Sequence, residues 1–399
     1  MRVLFVDDEV AVLEGLENLL RKERHRWDMV FTTNADAALA EMARSDVDVV
    51  VSDMRMPGMH GSVLLTTVRD QYPGTARIVL SGHSEREAIV KSLPVAHQFL
   101  SKPCDVGALR TAIERTRELQ MVLADEGVRR IVGKLHALPS VPQMHIDLTM
   151  TAAKPSSSIA DIAKIVERDP AMSVKALQLV NSSFFGVACR VTSIQHAVSL
   201  LGIELFKGLA LTAQIFASSD LRPVKGFSLL RIQQCSLGTA RLAKLFLRDR
   251  EHQEEAFTAG LVHDIGKVII ALGMPDQYAD VVQRAKAEDT PLHIIEKETF
   301  GVSHAEVGAY LLGVWGLPFS IVESVAHHHN PSAVSTGERE VLAAVHVADA
   351  LLDTASAAPG SPRETRLDMH FLDSAGFAAR LPHWRELAVE EAKRLESMS

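Results

Sequence analysis

Short apolar runs early in the chain each end in residues with chemistry, and this pattern constrains the fold more than any other feature. Val3-Leu4-Phe5-Val6 runs into Asp7-Asp8, and Val47-Asp48-Val49-Val50-Val51 leads through Ser52 to Asp53. Arg77-Ile78-Val79-Leu80 ends in Ser81, and Gln98-Phe99-Leu100-Ser101 ends in Lys102-Pro103. Short runs rich in β-branched residues, separated by amphipathic helical stretches, read as parallel strands in βα units. Ligands of such a sheet bind outside the carboxyl ends of its strands. The pattern therefore predicts that Asp7, Asp8, Asp53, Ser81 and Lys102 converge on one crevice.

Carboxylates brought together repel one another unless a cation sits between them. A site built from oxygen donors suits Mg²⁺, which keeps several waters and needs few protein ligands. A carboxylate is also a nucleophile towards phosphorus, and phosphoryl transfer is catalysed mainly by positioning and charge neutralisation. Asp53 is the best candidate for the phosphorylated residue, because the Asp7-Asp8 pair is better placed to hold metal. Pro57 and Gly58, in the stretch after Asp53, mark the loop that leaves the strand. Any one of these polar residues would fit an ordinary loop at a strand end; all of them in order point to a site.

With those residues in place, Met1 to about Gln120 resembles the receiver domain of two-component response regulators. The matching features are Asp7-Asp8, Asp53, Ser81-Gly82, Phe99 and Lys102-Pro103. The resemblance implies a doubly wound α/β fold of the flavodoxin-like kind, with five parallel strands. It implies Mg²⁺ on Asp8 and Asp53, with Asp7 assisting and the Arg55 backbone carbonyl as a further ligand. A histidine kinase would phosphorylate Asp53. Lys102 and Ser81 would contact the phosphoryl group, Phe99 would move with Ser81 as the aromatic switch, and the bond before Pro103 would be cis.

The chain has 399 residues and 47% apolar residues, enough for two or three domains with sizeable cores. Net charge is −8 and no Lys/Arg-rich block appears, so the footprint of a DNA-binding output is missing. The three cysteines, Cys104, Cys189 and Cys235, are scattered and odd in number, which argues against a disulfide framework. No secretory leader or uninterrupted membrane-spanning run is read, so a cytoplasmic protein is expected.

The helix after Pro103 carries Val106, Leu109, Ile113 and Leu119 and could continue towards Val122-Leu123 as a connector, with a break at Asp125-Glu126-Gly127. From about Ile131 to Asp353 the pattern is helical. Ser158 is placed to cap a helix with Ile159, Ile162, Ala163, Ile165 and Val166 on one face. Asp169-Pro170 opens the next, which ends near Asn181, and Gly202 stops another that starts near Ile194. Residues 355 to 362 read as a loop, and Leu372 to Met398 as one or two terminal helices. The expected boundaries are a receiver at 1–120, a connector at 121–134, an all-α domain at 135–353 and a helical extension at 354–399. The connector could pair with its twin in a homodimer, although its apolar spacing is short for a coiled coil.

Within the helical region, Ala259-Gly260-Leu261-Val262-His263-Asp264-Ile265-Gly266-Lys267 reads as a helix with His263 and Asp264 adjacent. His304, His327-His328-His329 and Asp349 follow. Histidine and aspartate are ligands for Zn, Fe or Mn, and a metal there would supply hydroxide for phosphoester hydrolysis. Buried histidines at helix junctions, bonded to backbone carbonyls, account for the same residues without a metal. One of three consecutive histidines must also point away.

The region resembles an HDOD domain, the helical output module related to HD phosphohydrolases. Its matches include Leu138-Pro139-Ser140-Val141-Pro142, Asp169-Pro170, Leu200-Leu201-Gly202, the His263-Asp264 segment, Gly301-Val302-Ser303-His304, Trp315-Gly316-Leu317-Pro318 and His327-His328. The resemblance implies a non-catalytic module that binds a downstream protein. His263, Asp264, His304, His327, His328 and Asp349 match ligand positions of HD phosphohydrolases. Cys235 stands where those enzymes carry a first histidine, and His329-Asn330-Pro331 replaces the Gly-Tyr-Pro of the cyclic-dinucleotide phosphodiesterases. A degenerate site follows. The rival reading is an HD-type metal-dependent phosphodiesterase under receiver control.

Overall fold

The computed structural model describes residues 1–82, 95–122, 131–133, 135, 138–139, 142–154, 157–182, 190–211, 224–334, 339–355 and 367–396. The chain divides into two compact units, one carrying the sheet and the other most of the helices.

The apolar runs form β1 (Arg2–Val6), β2 (Asp28–Thr32), β3 (Val49–Asp53), β4 (Ala76–Gly82) and β5 (Gln98–Lys102). They make one parallel sheet in the order β2-β1-β3-β4-β5. Around it lie α1 (Val10–Leu19), α2 (Ala35–Arg44), α3 (Gly61–Gln71) and α4 (Val106–Val122). Every residue of β3 is buried, as expected where helices cover both faces of a parallel sheet. One core joins Val3, Phe5, Val49, Val51 and Ile78 of the sheet to Leu13 and Leu16 of α1 and Leu109 and Ile113 of α4. Strand order reverses between β1 and β3, where Val6 pairs with Ser52. That topological switch point brings the ends carrying Asp7 and Asp53 side by side. The break expected at Asp125-Glu126-Gly127 lies outside the described residues.

The helical unit opens with α5 (Pro142–Ala153), α6 (Ile159–Val166), α7 (Pro170–Val180) and α8 (Ile194–Leu211). Ser158 caps α6 reciprocally with Asp161, so two otherwise orphaned groups at the helix start are satisfied. The Asp169 carboxylate accepts from Met172 N–H at 2.9 Å and fixes the start of α7. At Gly202 the backbone leaves helical values (φ 76°, ψ 163°), so the helix that starts at Ile194 stops there, as expected, and a second helical segment follows it within α8.

The centre is built from α9 (Leu229–Phe246), α10 (Arg250–Val262), α11 (Ile265–Gly273), α12 (Pro275–Ala287), α13 (Leu292–Phe300), α14 (His304–Val314), α15 (Phe319–His327) and α16 (Arg339–Ala355). The chain ends in α17 (Met369–Ser374) and α18 (Leu381–Glu396). Helices α9, α10 and α16 pack on one another, with α15 against α10 and α18 against α9 and α16. Trp384 of α18 stacks on Phe246 with ring centroids 4.5 Å apart, so the terminal helix belongs to this core. The stretch Arg250–Gly273 is long and apolar enough to cross a bilayer, but 78% of its most apolar window is buried inside the unit.

The His263-Asp264 pair does not sit inside one helix. Helix α10 stops at Val262 and α11 starts at Ile265, and the backbone at Asp264 leaves helical values at φ −96°, ψ 7°. The bend leaves both residues almost fully buried. The loop expected at 355–362 lies, beyond Ala355, outside the described residues, as does Cys189; Cys104 and Cys235 are free thiols.

Candidate functional site

Two clusters of titratable groups stand out. The first lies at the carboxyl ends of β1, β3 and β5. Lys102 Nζ is 2.7 Å from Asp7 Oδ2 and also pairs with Asp53 Oδ1. Asp53 Oδ2 accepts from Arg55 N–H at 2.6 Å, and Asp7 Oδ1 accepts from Glu9 N–H at 3.1 Å. Asp7 and Asp53 are buried, and Asp8 is half-buried beside them. Ser81 is the penultimate residue of β4 and pairs across the sheet with Ser101, next to Lys102. Phe99 is fully buried in β5, and the Lys102–Pro103 bond is cis.

Burial pushes the Asp7 carboxyl above its ordinary pKa, against the pull of Lys102. Burial also lowers the Lys102 ammonium, but Asp53 and Asp7 outweigh it and leave the group raised. One ammonium thus bridges two buried acids, Asp7 and Asp53, with Asp8 next to Asp7 in the chain, and the donors are all hard oxygens. That donor set fits Mg²⁺. The described contact of Arg55 with this site is through its N–H.

The second cluster lies in the helical unit. His263 Nδ1 is 2.7 Å from the Gly260 carbonyl, and His328 Nδ1 is 2.8 Å from the Val325 carbonyl. His304 Nδ1 is 2.5 Å from Glu296 Oε2. Carbonyl and carboxylate oxygens accept, so each Nδ1 donates. A neutral imidazole protonated at Nδ1 carries its lone pair on Nε2, and these Nε2 atoms converge. His263 Nε2 faces Asp349 Oδ1 at 3.3 Å and Asp264 Oδ2 at 3.5 Å, and His304 Nε2 faces Asp264 Oδ1 at 3.3 Å. His263 Nε2, His328 Nε2 and Asp264 Oδ1 are buried without a partner in hydrogen-bond geometry. Lys267 Nζ holds the other oxygen of Asp264 at 2.6 Å.

Close packing sets this arrangement. A Cβ on Gly266 would stand 1.9 Å from the His304 carbonyl oxygen, so only glycine lets α11 approach α14 this closely. Burial lowers His263 and His304, but neighbouring carboxylates outweigh it and leave both raised. Burial and the surrounding histidines hold His328 and His329 well below their ordinary range. Burial raises Asp349, yet the His263 contact brings its carboxyl below the ordinary range.

Ligand atoms fall into two groups, His304 with His328 and His329, and His263 with His328 and Asp349, each within 4.8 Å. Of the residues picked out from sequence, His263, Asp264, His304, His328 and Asp349 come together. His327 and Cys235 fall outside both groups. Consecutive helical residues point about 100° apart, and the Val325 carbonyl turns His328 inward. His329 takes the place expected for His327, with its Nε2 3.0 Å from His304 Nε2 and its ring stacked on His293. Cys235 is exposed on α9; packing around the sulfur and the nearby Asp264 charge push its thiol pKa up. The spacing also gave no sign of Glu296, which lies eight residues before His304 on another helix.

Comparison with known proteins matches residues 3–114 to the response regulator receiver domain and residues 138–331 to the HDOD domain. A receiver followed by an HDOD domain is a response regulator architecture, and the chain belongs to that class. It is 24% identical over 204 residues to an uncharacterized protein of Treponema pallidum, covering 50% of this chain and 39% of the relative. Over 115 residues it is 32% identical to the response regulator protein FleR of Pseudomonas aeruginosa, covering 29% of this chain and 24% of that protein. The chain thus spans well under half the length of these curated relatives. Among solved structures, a virulence factor from Campylobacter jejuni shares the fold at 18% identity and TM-score 0.54, covering 68% of this chain and 97% of that one. The MmoQ response regulator from Methylococcus capsulatus aligns at 23% identity and TM-score 0.47, over 60% of this chain and 97% of that one.

Proposed function

We propose that the chain is a phosphorylation-controlled response regulator in which Asp53 accepts a phosphoryl group from a histidine kinase. The observation that carries this reading is the Asp7–Lys102–Asp53 arrangement at the switch point of the sheet. Asp7, Asp8, Asp53 and the Arg55 carbonyl would hold Mg²⁺, which neutralises charge on the transferring phosphoryl oxygens. The Asp53 oxygen attacks phosphorus as the bond to the donor histidine breaks. Lys102 is positioned to move from the carboxylate to the new phosphoryl group, and Ser81 to donate to it while Phe99 follows.

That local charge change biases the receiver surface. The helical domain then binds or releases a protein partner in the cytoplasm, without contacting DNA and without catalysis of its own, and two phosphorylated copies pair. The test is labelling of the full chain with acetyl phosphate and Mg²⁺. The parent takes up one phosphoryl group and Asp53→Ala takes up none while keeping its circular dichroism spectrum. Equal labelling of the variant refutes the assignment.

A second reading rests on the buried, acceptor-rich histidine cluster. Lone pairs of His263 and His304 aimed at carboxylate oxygens, with the unpartnered Nε2 of His328 in the same cluster, need a cation or a proton among them. His263, His304, His328, His329, Asp264 and Asp349 would hold a Zn, Fe or Mn ion, and such an ion supplies hydroxide and charge stabilisation for phosphodiester hydrolysis. Metal analysis of the purified full chain, parent against His263→Ala, separates this reading from an empty output module.

A further inference from the structure

Glu296 is a carboxylate with no exposure at all, and its oxygens are divided between two tasks. Oε2 accepts from the backbone N–H of His304 at 2.8 Å and from its ring Nδ1 at 2.5 Å. Oε1 accepts from the Tyr278 hydroxyl at 2.9 Å, and Tyr278 is equally buried. The three groups come from α12, α13 and the first turn of α14, so tertiary packing alone assembles them.

A buried carboxylate used only as a helix cap would be satisfied by the backbone N–H. Here the same oxygen also takes the ring N–H, which removes the freedom of the imidazole to flip or change tautomer. With Nδ1 fixed as donor, Nε2 of His304 must point its lone pair at the centre shared with His328 and His329. Tyr278 in turn fixes the carboxylate from the far side. Partners of this kind raise the basicity of a ligating histidine and set its orientation, and losing one typically costs about 10–100-fold in metal affinity.

We propose that Glu296, held by Tyr278, is the positioning residue that presents His304 Nε2 to a divalent transition metal in the histidine cluster. This rests on the metal reading above. Glu296 and Tyr278 do not touch the ion; they act through His304, and the contribution of Tyr278 is the smaller because it is one bond further away.

The test uses the full chain in two measurements. Competition with a chromophoric chelator gives the Zn²⁺ and Mn²⁺ affinities of the parent, Glu296→Gln, Glu296→Asp and Tyr278→Phe. Nitrogen-15 NMR of histidine-labelled protein gives the tautomer of His304 without metal, assigned by its loss in His304→Gln. The expected result is metal binding by the parent, weakened roughly 10–100-fold in Glu296→Gln, partly restored in Glu296→Asp and weakened less in Tyr278→Phe. The Nδ1–H form of His304 should dominate in the parent and give way to a mixture in Glu296→Gln.

Unchanged affinity and an unchanged tautomer in a folded Glu296→Gln overturn the positioning role while leaving metal binding intact. No metal uptake by the parent overturns the metal reading. In that case a tautomer shift in Glu296→Gln would leave Glu296 as the group that orients His304 and remove the ion from the proposal.

Discussion

Lys175 sits in α7, a helix buried on all sides from residue 170 to 180. A charged ammonium there is costly, and burial pushes Lys175 down from 10.5 to about 7. The sign follows from linkage. Above pH 7 the folded chain sheds this proton while the unfolded chain keeps it up to about pH 10.5. The unfolded state therefore binds more protons across that window, and stability rises with pH. The penalty is complete below pH 7 and vanishes above pH 10.5. The slope is at most about 1.4 kcal/mol per pH unit, which integrates to roughly 2 kcal/mol between pH 7 and 9. Lys175→Met keeps most of the side-chain volume and removes the ionisable head. Urea unfolding of the full chain at pH 7, 8 and 9 compares the two proteins. The parent should gain about 2 kcal/mol on the variant over that range, roughly 1 M in midpoint at an m-value of about 2 kcal/mol/M. Parallel pH profiles would refute the buried, neutral lysine.

Three further substitutions test the helical unit. Gly266→Ala places a methyl 1.9 Å from the His304 carbonyl oxygen and 2.9 Å from Gly308 N, both backbone atoms that cannot rotate away. It should destabilise the helical unit by about 3 kcal/mol or more, read as a lower melting temperature, with loss of any metal bound through His304. Trp384→Ala removes a buried indole that stacks on Phe246; a cost of about 3–5 kcal/mol by urea unfolding is expected. Ser158→Ala removes the side-chain half of the α6 capping box and leaves the Asp161 carboxylate on the backbone N–H of residue 158; it should cost about 1 kcal/mol in the same assay.

The receiver half was legible because its chemistry sits where the strand period stops. In a parallel sheet buried on both faces, a strand reads as an apolar run, and the polar residue that ends it marks the functional edge. Position in sequence and position in space therefore coincide for Asp7, Asp53, Ser81 and Lys102. In the helical half they do not. His263 and Asp264 were legible as a pair, yet nothing in their sequence distinguishes a helix interior from a bend, and the bend is what buries both. Among His327, His328 and His329, residue type cannot say which turns inward; the carbonyl of Val325 and the ring of His293 decide it. Glu296 was hidden more deeply. Its helix is amphipathic and carries Lys297 and Glu298 beside it, so a surface acid is the natural reading. Its burial is a property of three helices meeting, and only the meeting reveals that this carboxylate serves His304. Lys175 was hidden as well, since its sequence does not say that residues 170–180 are all buried. Where function rests on strand ends, order along the chain exposes it. Where it rests on a junction of helices, the decisive residues are those whose charge contradicts their burial.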